Sequence, residues 1–313
     1  MRCSKGGKIM VRKKIGKTSG KVSAGPDQII FNILAYIFLT IVALLAFLPF
    51  FMLVINSFAS EKSIITTGYS IWPAEFSTAA YELVFLMPLK ILRAYGVTIA
   101  VTVIGTFCSL FFSSMAAYVM YRKDVQYRNV LAFFLFFTTL FNGGLMSYYM
   151  ILMKYLHLGN TFWVLLLSPM FSVFNILILK NFFNGSVPDS LFEAAKIDGA
   201  GEFTIFLKVV LPISKAALAS IGLFTALTYW NDWWTGMMFV KNENLHSLQY
   251  TLYQILSSAT YASSMVNAPV VVNTPKESLK LAMTVIATGP IIFLYPFVQK
   301  YFVAGMTIGA VKG

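Results

Sequence analysis

The chain has 313 residues, of which 58% are hydrophobic and 12% charged, with a formal net charge of +12. Soluble domains carry about 25% charged residues, so an ordinary water-soluble domain is excluded. The basic excess is not a nucleic-acid footprint either: eight Lys and Arg precede the first apolar run, and most of the others cluster in the short connections of one side.

In chain order, residues 1–28 form a basic tail carrying Arg2, Lys5, Lys8, Arg12, Lys13, Lys14, Lys17 and Lys21. Met10 offers a second start within it. Cys3 lacks the apolar run that precedes a lipoprotein cysteine, and Cys108 lies inside an apolar span, so the pair implies no disulfide. The run from Ile29 to Phe58 is too long for a signal-peptide core and lacks a small-residue cleavage site. It is the first of six segments that meet the requirement of about 20 largely apolar residues for a membrane-crossing helix. The others are Ile91 to Tyr121, Val130 to Met153, Thr161 to Phe183, Pro212 to Val240 and Leu281 to Val303. In lipid these must be helices, because only bonds within the segment satisfy the backbone there. The expected fold is an all-α membrane protein, with a six-span domain over 29–304 and a tail over 305–313.

Basic residues set the orientation. With the N-terminus inside, 17 Lys and Arg fall on the cytoplasmic side and seven outside, which places both ends in the cytoplasm. Two long connections then lie outside, Ala59 to Lys90 and Lys241 to Lys280. In the second, Leu245, Leu248, Leu252 and Ile255 recur at helical spacing, as in an amphipathic helix lying on the outer surface. Ser257 to Pro275 reads as a flexible polar segment. His157 and His246 are isolated in outer loops, so solvation is a better account of them than metal binding.

Between spans four and five, on the cytoplasmic side, lies a polar island (184–210). Pro188 suits the first turn of a helix, and Asp189 and Glu193 suit its positive end. Ala194 and Ala195 favour helix with little bulk. Gly199 and Gly201 permit a sharp turn with positive φ, after which Glu202 to Val210 forms a second short helix leading to Leu211 and Pro212. The bland account is a surface helix with no partner.

The pattern Glu193-Ala194-Ala195, three residues, Gly199, nine residues, Val209, one residue, Leu211-Pro212 resembles the signature loop of bacterial ABC importer permeases. Its position in a six-span chain fits as well. Phe141-Asn142-Gly143-Gly144, Tyr229 to Trp234, Leu248-Gln249, Tyr295 to Phe302 and Met306 to Gly313 extend the likeness to the maltose-type carbohydrate branch. Within that branch it is similar to the second permease of Gram-positive oligosaccharide and polysaccharide-fragment systems. The resemblance implies a type I importer permease fold in a bacterial plasma membrane, with the island as a cytoplasmic coupling helix. Glu193, Ala194, Ala195, Asp198, Gly199, Leu211 and Pro212 would then form the ATPase-coupling element. It also implies a second homologous permease, two copies of a cytoplasmic ABC ATPase, an extracellular solute-binding protein and a carbohydrate substrate. ATP and magnesium would sit on the ATPase. The chain itself has no GxxxxGK[ST] loop and no catalytic or metal-binding constellation, so it reads as a transport subunit rather than an enzyme. Met306 to Gly313 could reach into the ATPase dimer, or be a solvated end.

Aromatic rings suit the faces of sugars, and Asn and Asp suit their hydroxyls. Tyr229, Trp230, Asn231, Asp232 and Trp233 are therefore substrate-path candidates, the alternative being an interfacial aromatic belt. Asn142, Tyr148 and Tyr149 are a second set. Their surroundings suit a helix break lining a cavity, while tight helix packing at Gly143-Gly144 is the plainer account. Three rivals remain open. A peptide or amino-acid ABC permease shares the coupling pattern but lacks the aromatic segments. An ion-coupled sugar transporter would bury relay groups, and here Asp232 is the sole acid in the spans. A membrane glycosyltransferase would need an acidic or metal-binding active site.

Overall fold

The protein is described by a computed structural model that covers the backbone of residues 25–264 and 275–310, and side chains at 25–261, 275–292 and 299. Most of the basic tail, the end of the 257–275 segment and residues 311–313 lie outside the described residues. So do the side chains of Tyr295 to Val298 and of Lys300 to Ala310. Among the described residues the secondary structure is helical, apart from one isolated antiparallel bridge between Ala59 and Phe76.

The chain divides into two units, residues 1–51 and 52–313. The first contains most of α1 (Pro26–Asn56), a helix with apolar residues on all faces and Pro49 inside it. The second begins with two short helices, α2 (Glu61–Thr67) and α3 (Ala79–Val84), in what the sequence presents as an outer loop. Then come α4 (Pro88–Tyr121), α5 (Arg128–Leu140), α6 (Gly144–Tyr155), α7 (Phe162–Leu167), α8 (Val173–Ser186), α9 (Asp189–Ile197) and α10 (Glu202–Ile213). The chain continues with α11 (Lys215–Trp230), α12 (Trp234–Phe239), α13 (Leu248–Ser264) and α14 (Lys276–Ala310).

Each expected span falls on helix, but three are not continuous. Span three breaks between α5 and α6, which diverge by 118°. The glycines there are not packed against a neighbour. Gly144 adopts φ +80°, and a Cβ on it would meet nothing within 4 Å. The tight-packing account is therefore corrected to a helix break, with the Asn142 Oδ1 accepting from the Gly144 N–H at 2.8 Å. Span four divides into α7 and α8. Span five begins at Lys215 rather than Pro212, because α10 and α11 meet at Ser214 with an 83° bend. The last helix starts five residues before Leu281 and runs past Val303 to Ala310.

The outer connections are also more ordered than the sequence suggests. α13 extends to Ser264, so 257–264 is helix. It does not lie free on the surface, because Leu248 and Leu252 are buried against Trp230, Leu279 and Met283. The Glu61 carboxylate accepts from the backbone N–H groups of Glu277 and Ser278 at 3.0–3.1 Å. It thereby satisfies the positive end of α14 and ties α2 to it.

Small residues allow the close approach that membrane helices need in place of a hydrophobic driving force. α4 packs on α8 and α11 through Gly105, Ser109, Ser113, Ser114 and Ala117, all buried, with Gly105 facing the ring of Tyr229.

His246 corrects another expectation. It is 3% exposed, edge-on to Tyr250 at 4.6 Å, with the Val240 backbone, Gln254, Lys90 and Glu243 around it. Burial, helped by the Lys90 charge, outweighs the opposing influence of the Val240 backbone, Glu243 and Gln254 and holds the imidazole below its ordinary range. Between that depressed value and the ordinary one of about 6.5, the unfolded chain binds the extra proton and the native chain does not. Stability is therefore lost as pH falls through that window. The His246→Asn variant is expected to show a smaller loss of Tm between pH 7 and pH 5 than wild type, read by thermal unfolding in detergent.

Candidate functional site: the coupling bracket and the outer groove

The polar island folds as the expected helix, turn, helix bracket. Pro188 is the N-cap of α9, one residue before the position expected, with extended backbone. Its carbonyl accepts from the Leu191 N–H at 3.1 Å. At the other end the Gly199 N–H donates to the Lys196 carbonyl and the Ala200 N–H to the Ala195 carbonyl, at 3.0 and 2.9 Å. That pair of bonds is a Schellman cap, which needs a left-handed residue at its centre. Gly199 supplies it with φ +77°. Gly201 does not share that role, because it is the extended N-cap of α10 (φ −71°, ψ 158°).

One face of α9 is seated in the bundle. Phe192 is buried among Tyr118, Tyr121, Phe183 and Phe206, and Ala195 packs against the same cluster. The opposite face carries exposed Glu193, Ala194 and Asp198 together with Ile197, which is 86% exposed. Leu211 packs on the inner cluster, and Pro212 is exposed beside it.

An ion network, unforeseen from the sequence, fixes the bracket to the end of α4. Arg122, 6% exposed, grips Asp124 with Nε and Nη2 at 2.8 and 2.5 Å and reaches Glu202 at 3.0 Å. Lys196 joins Asp124 and Glu202 at 3.0 and 3.3 Å. Lys123 pairs with Asp189 at 2.6 Å. The hydrogen bonds from Arg122 hold the Asp124 carboxyl far below the usual carboxylate range. Donation to the Asp124 and Glu202 carboxylates holds Lys196 above its ordinary range. The sequence gives no signal that pairs Arg122 with a glutamate 80 positions away. Glu193 makes no ion pair among the described residues and remains available on the outer face.

The substrate-path candidates separate into distinct places. Tyr229 and Trp230 are interior: the Tyr229 hydroxyl donates to the Leu166 carbonyl at 2.7 Å and the Trp230 Nε1–H to the Ala287 carbonyl at 2.9 Å. Both are buried, so neither belongs to an aromatic belt or offers its polar atom to a ligand. Asp232 is spent on the chain, its carboxylate accepting from the Thr235 N–H and its carbonyl from the Ser247 hydroxyl. Tyr148 pairs with the Ser168 hydroxyl at 2.7 Å, and Tyr149 stacks on Phe239. Asn142 is exposed at the α5–α6 break.

Asn231 and Trp233 instead line an open groove of about 410 Å³ with Gln249, Tyr253, Lys280, Thr284 and Thr288. Trp233 stacks on Tyr253 at 4.8 Å, and Gln249 donates to Asn231 at 3.3 Å. In the sequence Gln249 carries only the Leu248-Gln249 likeness, while nothing there joins Tyr253 of the same helix, α13, or Lys280 of α14 to Asn231 and Trp233. A second cleft, about 650 Å³, runs between α8 and α11 and carries Ser172, Asn175, Ser220, Thr225 and Thr228 along an otherwise apolar wall.

Residues 96–308 match the family described as "Binding-protein-dependent transport system inner membrane component". The chain belongs to this family. It is thus a multi-pass plasma-membrane permease subunit of an ABC importer, a transport component rather than an enzyme, working with a partner ATPase and a binding protein. The polygalacturonan/rhamnogalacturonan transport system permease protein YtcP of Bacillus subtilis (strain 168) is 38% identical over 91% of this chain and 99% of its own length. Protein LplC of the same organism is 39% identical over 91% of this chain and 95% of its own. Among solved structures, a bacterial ABC transporter involved in the import of the acidic polysaccharide alginate superposes with a TM-score of 0.70 at 28% identity. That match covers 89% of this chain and 98% of that one. The all-α, six-span importer permease fold expected from the sequence is therefore the fold of this family member.

Proposed function

We propose that this permease forms half of the pathway of an ATP-driven importer of oligosaccharides, specifically fragments of an acidic polysaccharide. The observation that carries the importer reading is the bracket: an exposed Glu193, Ala194 and Ile197 face on a helix whose other face is locked into the bundle. Such an element transmits force only if something outside the chain grips it. The names of its relatives support the carbohydrate, and an ammonium beside stacked aromatic rings in the outer groove suits a charged sugar.

In this reading a second homologous permease closes the cleft between α8 and α11, and two ATPase subunits, holding ATP and magnesium, engage one coupling helix each. Both chain ends face the cytoplasm. An extracellular binding protein delivers the sugar from the opposite side. ATP and the loaded binding protein drive the switch because both bind the outward-facing state better. Asn231, Trp233, Gln249 and Lys280 are the sugar contacts, while Asn142, Tyr148 and Tyr149 line the path further along span three.

The test is uptake of a labelled oligogalacturonide by proteoliposomes holding the complete importer that co-purifies with this chain. Uptake is expected to require both ATP and the binding protein. The Trp233→Ala variant should raise the half-saturating concentration about tenfold, the equivalent of ~1.4 kcal/mol, with the complex assembled normally. Uptake that persists without ATP but collapses with a protonophore would replace the proposal with an ion-coupled transporter.

A further inference from the structure

We propose that Arg122 is the positioning residue through which displacement of the coupling helix reaches α4. The inference rests on the importer reading above and adds to it the route of the mechanical link.

Two kinds of contact join the bracket to the bundle. Phe192 and Phe206 provide apolar packing, which is non-directional and resists sliding only weakly. Arg122 provides direction. Its guanidinium is a planar fork whose donors are fixed relative to one another, and the structure commits them to three elements. Nε and Nη2 hold Asp124 in the α4–α5 connection, Nη2 also holds Glu202 at the start of α10, and Nη1 donates to the Tyr118 hydroxyl of α4 at 3.2 Å. Tyr118 donates in turn to the other oxygen of Glu202 at 2.7 Å. The face of the guanidinium lies 4.8 Å from the centroid of Phe192 in α9. Lys196, also in α9, completes the set on both carboxylates. Two cations thus balance two carboxylates: Arg122–Glu202, Tyr118–Glu202 and Lys196–Asp124 cross between the α4 side and the bracket, Arg122–Asp124 and Arg122–Tyr118 brace the α4 end, and Lys196–Glu202 ties the two arms together.

Such a cluster does not add stability efficiently, because desolvating charges offsets much of their attraction. Its distinctive property is geometric: α9 and α10 cannot shift relative to the end of α4 without stretching charge-assisted bonds. A pull on the exposed face of α9 is therefore passed to a 34-residue helix whose other half meets α13, where the Thr98 hydroxyl accepts from the Leu248 N–H. Lysine cannot substitute, since an ammonium on a flexible stem, as at Lys196, can reach two carboxylates but lacks the planar fork that fixes them relative to each other.

The experiment compares wild type, Arg122→Lys and Glu202→Gln in proteoliposomes holding the complete importer, measuring sugar transported per ATP hydrolysed. Arg122→Lys keeps the charge and the apolar stem over Phe192, so insertion and co-purification of the ATPase are expected at wild-type levels. The ratio should fall roughly tenfold, within the range of an allosteric coupling free energy, while half-saturation by the sugar stays within about twofold. Glu202→Gln, which leaves the grip on Asp124, should fall between the two. Wild-type ratios in both variants would overturn the proposal. So would a loss confined to the amount of complex assembled, with surviving complexes transporting at the wild-type ratio, because that pattern marks an anchor alone. Absence of ATP-driven uptake in the wild-type vesicles would overturn the importer reading itself and is distinguishable by that control.

Discussion

Gly199→Pro is expected to abolish ATP-driven uptake while leaving the protein in the membrane at normal abundance. At φ +77° the position lies outside proline's fixed range near −65°, and proline also removes the N–H that donates to the Lys196 carbonyl. Both arms of the cap are lost together, so Ala200 can no longer turn back onto the bundle and α10 loses its entry angle. The bracket then gives where it must be stiff. A left-handed conformation costs an ordinary L-residue about 1–2 kcal/mol, so Gly199→Ala should reduce uptake by a smaller factor, roughly five- to thirtyfold if the whole cost falls on the coupled state. Gly199→Asn is the informative control, because asparagine tolerates this conformation and should retain most activity. Uptake by the proline variant equal to wild type at matched expression would remove the bracket from the mechanism.

The largest effect on stability is expected at Gly105. A Cβ built there lies 2.4 Å from Tyr229 Cζ, with two more ring carbons at 2.6 and 2.7 Å. The ring cannot swing away freely, because its hydroxyl donates to the Leu166 carbonyl and its position is buried. Overpacking of this kind costs about 1–3 kcal/mol, and giving up the Tyr229 hydrogen bond adds about 1 kcal/mol. Gly105→Ala should therefore lower the Tm in detergent by several degrees, at about 2–4 °C per kcal/mol for a chain of this size. Gly96→Ala, in the same helix with nothing within 4 Å of the added carbon, should be neutral or mildly stabilising. Combining Gly105→Ala with Tyr229→Leu should restore part of the loss, since contacting residues couple while distant ones add. Equal Tm for the Gly105→Ala and wild-type proteins would mean that α4 and α11 do not approach as described.

Features that depend on composition and local chemistry are legible in the sequence. A chain this apolar must be a membrane protein, and Glu193 to Pro212 carries its own helix, turn and helix signals, with Gly199 and Gly201 both offered for the turn that the structure gives to Gly199 alone. The sequence could not locate breaks inside apolar runs. Val130 to Met153 is long and apolar enough for one helix, and only the backbone shows that the chain bends by 118° at Asn142 to Gly144. Nor could it sort the aromatic run. Tyr229, Trp230 and Trp233 are chemically alike, yet two spend their polar atoms on carbonyls of other helices and one opens onto a groove, because α11 ends at Trp230, Trp233 lies in the turn before α12, and only the packed neighbours decide which side is interior. His246 appeared solvated because a loop position says nothing about what packs over it. The Arg122, Asp124, Lys196 and Glu202 cluster, in turn, joins residues up to 80 positions apart. Local periodicity reports what a segment can bury, whereas partners distant in the chain are chosen by how the helices pack, and that choice exists only in the folded molecule.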